Sequence, residues 1–86
     1  MSAQSVEGYV ISLLNTTFPD SRGKGITRET SLIADLDADS MAMVTLIFAI
    51  DEEFGVGTDQ LGELVVNCHT VGDLISATER LQRVRA

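Results

Sequence analysis

Val6, Val10, Leu13 and Leu14 recur three or four residues apart between about Ala3 and Thr16, and Ile11 widens the stripe. That spacing predicts an amphipathic helix. Gly8 weakens it modestly, and Pro19 argues against continuation past Phe18, which is expected to fold back as an anchor. A second helix is predicted over residues 40–54. There Met43, Leu46, Ile47, Ile50 and Phe54 follow helical spacing and should face the core. Met41, Val44 and Phe48 form another apolar stripe on a different face. A helix apolar nearly all round is either fully buried or carries a second interface, and a chain of 86 residues has little room to bury it all. The stripe therefore reads as a contact surface, the alternative being that Phe48 packs under the third helix.

Gly55-Val56-Gly57 breaks the second helix. Thr58 or Asp59 is expected to cap a short third helix, about residues 60–66, with Leu61, Leu64 and Val65 turned inward. Thr70-Val71-Gly72-Asp73 has the form of a capping box. The last helix then runs to about Arg83 on an inner face of Val71, Leu74, Ile75, Thr78 and Leu81. Arg80, Arg83 and Arg85 lie near its end, where positive charge suits the dipole. Residues 19–39 form a connection long enough to count against the assignment unless Ile26, Leu32 and Leu36 pin it across the helices. Thr30-Ser31-Leu32-Ile33-Ala34 is expected to form one helical turn. No repeat and no strand-like alternation is visible. The expectation is an all-α chain with one domain over residues 1–86, a small up-down bundle of three main helices plus one short one.

Composition narrows the function classes. A hydrophobic fraction of 44% with 22% charged residues is that of a globular domain. The net charge of −7 argues against DNA or RNA as partner and suits encounter with basic patches on larger proteins. The single cysteine, Cys68, allows no internal disulfide and points to a reducing compartment. No charged start leads into an apolar segment, and Met41 to Ile50 is about half of the roughly 20 residues that a membrane span needs. A cytoplasmic monomer without membrane insertion is expected, and the start and end of the chain favour a free-standing protein.

Asp35, Asp37 and Asp39 alternate up to Ser40, where the second helix begins. Ser40 can cap that helix, or its hydroxyl can be a chemical handle, because a phosphate there would sit at the positive end of the dipole. The three acids match the first ligand positions of a calcium loop, but Ser40 stands where glycine is needed and Leu46 where the bidentate Glu belongs, so no metal site is expected. Cys68-His69 lacks further ligands at zinc spacing. A hydrolytic reading would need Ser40, His69 and an acid to converge, which nothing in the sequence provides. Cys68 is expected to pack between the third and fourth helices, with His69 beside the Thr70 cap. No catalytic residue is assigned.

Asp39-Ser40-Met41, with Asp35-Leu36 before it and Ile50-Asp51-Glu52-Glu53-Phe54 after it, resembles the prosthetic-group site and second helix of the acyl carrier protein family. The family pattern is Asp-Leu-Gly-x-Asp-Ser-Leu, and the likeness runs from the first helix to Thr70-Val71-Gly72-Asp73-Leu74. Asp37 replaces the usual Gly, and Asp tolerates a left-handed backbone better than most residues. The resemblance implies an acyl-carrier-like bundle. It also implies covalent 4'-phosphopantetheine on Ser40, attached by a phosphopantetheinyl transferase, with Asp39 orienting the site. The chain is then a carrier rather than an enzyme. It would hold an acyl group as a thioester for acyl-loading and acyl-transferring enzymes of fatty acid, polyketide or specialised lipid biosynthesis. Partners with basic and apolar patches are expected to touch Met41, Val44, Thr45, Phe48, Asp51 and Glu52. Ala42 and Thr45 stand where the family often has acids, so contact should be less charged and more apolar, favouring a specialised pathway. The alternatives are an aminoacyl or peptidyl carrier, or a helical interaction module that carries no prosthetic group.

Overall fold

The computed structural model describes residues 5–18 and 25–85, with side chains as far as Arg83. The expected start at Ala3, the Pro19 stop and the Arg85 side chain lie outside what is described. Among the described residues there are four helices and no strand: α1 (Val6–Thr17), α2 (Ser40–Phe54), α3 (Thr58–Val65) and α4 (Val71–Arg85). α2 packs on α1 and α3, and α4 packs on the same two. The all-α bundle is the one that the apolar spacing predicts.

Local rules account for most helix ends. Ser5 caps α1, its Oγ accepting from the Gly8 N–H at 3.0 Å, which satisfies one orphan donor of the first turn. Val6, Val10 and Leu14 are buried, and Phe18 packs against the same core from just beyond the helix. α2 has the predicted bounds and ends at Gly55, whose φ of 64° is a left-handed conformation that glycine adopts without a Cβ clash. Tyr9 ties α1 to the far end of α2. Its ring meets Phe54 edge-on at 5.3 Å, and its hydroxyl donates to the Ala49 carbonyl at 3.2 Å.

α3 departs from expectation. It starts at Thr58 rather than near residue 60, and neither Thr58 nor Asp59 caps it. The cap position is Gly57, which offers no side chain. Instead Asp51 Oδ1 reaches forward from α2 and accepts the Gly57 N–H at 2.7 Å, so the turn is closed by the preceding helix. α4 buries Val71, Leu74, Ile75, Thr78 and Leu81 as one face. The Thr78 hydroxyl is satisfied there by the Leu74 carbonyl at 3.0 Å.

The capping box of α4 forms as the sequence predicts. The Asp73 N–H donates to Thr70 Oγ1 at 3.1 Å, and Asp73 Oδ2 accepts from His69 N–H at 3.0 Å and Thr70 N–H at 3.2 Å. The His69 and then the Thr70 amide hold the Asp73 carboxyl below its ordinary pKa. A depressed carboxyl stabilises the fold above its unfolded pKa, and that contribution is lost as pH falls through the folded value. Asp73→Asn is therefore expected to melt below the parent near neutral pH. The gap should close on acidification from about pH 6 to about pH 2, followed by circular dichroism. A gap that stays constant over that range would remove the charge from the explanation.

The connection before α2 is folded rather than loose. Leu32, Leu36 and Ala38 are buried, and Ile26 is partly so. A helical turn forms, but it runs from Ser31 to Asp37 rather than from Thr30 to Ala34. The Ser31 carbonyl accepts from both Asp35 and Leu36 N–H. Ser31 Oγ accepts from Ala34 N–H, and Asp35 Oδ2 accepts from Ser31 N–H, a reciprocal cap like that of α4. Asp37 then reverses the chain at φ 56°, the left-handed conformation expected of it. The segment is stitched to the start of α4 by Leu32 N–H to His69 O at 2.9 Å, Val71 N–H to Thr30 O at 2.9 Å and Gly72 N–H to Arg28 O at 2.8 Å. Gly72 permits this approach, since a Cβ there would meet the Arg28 carbonyl oxygen at 3.0 Å.

Candidate functional site

The junction of the pinned loop with α2 decides what Ser40 does. Asp39 has extended backbone angles, and its Oδ1 accepts the Ala42 N–H at 2.8 Å. Asp39, not Ser40, is therefore the cap. Ser40 is the first helical residue and is exposed, and its Oγ has no hydrogen-bond partner among the described residues. The helix thus presents a hydroxyl to solvent at its positive end, where an attached phosphate is electrostatically favoured. On these observations the residues fit a covalently bound phosphate ester.

The two apolar stripes of α2 separate. Leu46 and Ile50 are fully buried and Met43, Ile47 and Phe54 partly covered. Met41 is 77% exposed, Val44 48% and Phe48 60%. Phe48 thus faces solvent, and does not pack under α3. The Thr45 hydroxyl turns back to donate to the Met41 carbonyl at 3.0 Å, which leaves this face with little polarity. Glu52 is exposed at the distal end, while Asp51, partly covered, is engaged at the α3 turn.

Beside Ser40, between α2 and α3, lies a cleft of about 360 Å³. Asp39 and Ser40 border it, and Leu32, Ile33, Ala38, Met43, Ile47, Gly62, Val65, Val66 and Cys68 complete its lining. Ile33 and Val66 are large apolar side chains left mostly in solvent on this cleft. Sequence reasoning missed the cleft. Its walls come from three separate segments, and no periodicity marks Ile33, Gly62 or Val66 as neighbours of Ser40.

The remaining candidates resolve into structural roles. Asp35 and Asp39 spend carboxylate oxygens on backbone amides, and Asp37 shapes the reversal. Cys68 is half-buried between α3 and α4, its Sγ donating to the Leu64 carbonyl at 3.4 Å. Burial, and then the charge of Asp73, push its thiol up to about 11, so at neutral pH it stays protonated and a poor nucleophile. His69 sits beside the Thr70 cap, as expected, and lends its amide to Asp73. Among the described residues no helix is long and apolar enough to cross a membrane.

Fold and site together define a small helical bundle that presents one serine hydroxyl at a helix start, beside an apolar cleft. The chain belongs to the family described as "Phosphopantetheine attachment site", which it matches over residues 8–78 and whose covalent group is 4'-phosphopantetheine. It is similar to the acyl carrier protein of Thermotoga maritima, 40% identical over 55 residues, which make up 64% of this chain and 65% of the relative. It is also similar to the acyl carrier protein of Helicobacter pylori, 42% identical over 55 residues and covering 63% of this chain and 67% of the relative. That of Buchnera aphidicola is 41% identical over 51 residues, 58% of this chain and 65% of the relative. The aligned stretch thus spans about two thirds of the length of these relatives. No solved structure matches the chain at a comparable level. The family's proteins are carriers rather than catalysts.

Proposed function

We propose that this chain is an acyl carrier protein whose 4'-phosphopantetheine is joined to Ser40 Oγ by a phosphopantetheinyl transferase. The observation that carries the assignment is the division of labour at the start of α2. Asp39 closes the helix end, so the Ser40 hydroxyl is left exposed and uncommitted. When bound, the prosthetic group supplies a flexible arm ending in a thiol that holds the acyl group as a thioester. Ser40 fixes where that arm begins, and Asp39 holds Ser40 in place by fixing the first turn. Attachment to a carrier raises the effective concentration of the cargo at each docked enzyme.

The lining of the cleft favours an aliphatic cargo of the fatty acid, polyketide or specialised lipid type over an aminoacyl one. Leu32, Ile33, Met43, Ile47 and Val65 offer an acyl chain apolar contact, and Asp39 beside Ser40 is the one charged side chain on the lining. Partner enzymes are proposed to dock on Met41, Val44, Thr45 and Phe48 through an apolar patch, with basic groups meeting the exposed Asp35, Asp37 and Asp39 at the Ser40 end and Asp51 and Glu52 at the far end. Opposite charge speeds the encounter, and the aromatic ring is the natural anchor of the contact.

Incubation with coenzyme A and a broad-specificity phosphopantetheinyl transferase is expected to raise the intact mass by one phosphopantetheine. A folded protein that gains nothing would point instead to a helical interaction module without a prosthetic group. For the docking face, Phe48→Glu is expected to fold normally, since exposed substitutions usually change stability by no more than about 0.5 kcal/mol. It should lower kcat/KM for transfer with a cognate enzyme by about tenfold or more, the loss of a contact worth about 1.4 kcal/mol or more. Unchanged transfer kinetics would take Phe48 out of the interface.

A further inference from the structure

We propose that Gly62 sets the depth of the cleft beside Ser40, and so determines how much of an aliphatic chain the protein shelters. The proposal rests on the acyl-carrier reading of Ser40 and deepens it. Ile47 lies seven residues beyond Ser40 on α2, two helical turns or about 10 Å along the axis. A Cβ built on Gly62 would face the tip of that side chain, Ile47 Cδ1, at 4.0 Å, and nothing else is nearer. Of the α2 residues that line the cleft, Ile47 is the farthest along the helix from Ser40, and Gly62 faces it.

Neither backbone nor crowding calls for a glycine here. Gly62 lies within α3 and is not among the glycines with positive φ. A contact at 4.0 Å is ordinary, unlike the close approach of the Arg28 carbonyl to Gly72. In a helix of only eight residues, glycine is the least favourable choice after proline. What its missing side chain provides is open space between α2 and α3. The cleft of about 360 Å³ is near the small end of the about 300–1,000 Å³ typical of ligand pockets, so a few added carbon atoms take up a useful part of it. A larger residue at this position would shorten the apolar channel from its far end and leave the Ser40 end unaltered.

The test loads the parent, Gly62→Ala and Gly62→Leu at Ser40 from acetyl- and octanoyl-coenzyme A with a broad-specificity transferase. Intact mass verifies each product, and each is then melted. The octanoyl parent is expected to melt several degrees above the acetyl parent, because a sheltered chain stabilises the folded state that holds it. That increment should shrink in Gly62→Ala, whose unloaded form melts at or above the parent, and disappear in Gly62→Leu. If the leucine variant does not fold, the alanine variant decides the matter. The same increment in every variant, or none in the loaded parent, overturns the role of Gly62 while the mass gain keeps the Ser40 reading intact. Absence of any mass gain overturns both.

Discussion

Ser40→Ala is expected to fold and melt like the parent and to gain no phosphopantetheine under conditions that fully convert the parent. The two halves of this result answer different questions. Were Ser40 the cap of α2, its loss would cost about 0.5–2 kcal/mol. The cap is the Asp39 carboxylate, on the Ala42 amide, and Ser40 Oγ has no partner among the described residues. Alanine is also the best helix former. The stability change should therefore stay within about 0.5 kcal/mol, while modification falls to zero. Intact mass and thermal melting on the same sample read both quantities. A mass gain that survives the substitution would move the attachment point elsewhere in the chain. A large fall in melting temperature would return Ser40 to a structural role.

Leu32→Ala should produce the largest loss of stability outside the helices, about 2–5 kcal/mol. Leu32 is in the connection before α2, yet only 1% of it is exposed. Its amide is tied to the His69 carbonyl, and its own carbonyl accepts from Ala38 N–H. Truncation would empty part of the core under the segment that leads into Asp39 and Ser40. Small domains are stable by only about 5–15 kcal/mol, so such a loss is severe. Ile33→Ala is the control. Its side chain is next in sequence but 65% exposed, so a change within about 0.5 kcal/mol is expected. Denaturant midpoints of the two variants make the comparison. Equal, small effects would mean that the loop does not share the core of the bundle.

The contrast between Leu32 and Ile33 also marks the limit of reading from the chain. Both are aliphatic and adjacent, and no helical or strand period ranks one above the other. Leu32 was legible as an anchor only because a connection this long needs something to hold it. The stitching of that loop to α4 pairs residues about forty positions apart, for which local pattern carries no signal. The cap of α2 is ambiguous for a related reason, since Asp and Ser are both good caps. Which of the two takes the amide depends on where the backbone turns from extended to helical. The start of α3 is not legible locally, because the group closing its first turn, Asp51, belongs to the preceding helix.

By itself the sequence determined the helices, their inner faces and the acidic approach to one serine, because side chains three and four residues apart share a face and caps act within one turn. The bounds of α2 and the box at Thr70–Asp73 follow from such short-range chemistry. Tertiary structure alone decided that Phe48 faces solvent, that Asp39 relieves Ser40 of the cap, and that Gly62 and Ile47 face one another across a cleft. Those outcomes depend on how helices and loop lie against each other, and the space left between two packed surfaces belongs to neither segment taken alone.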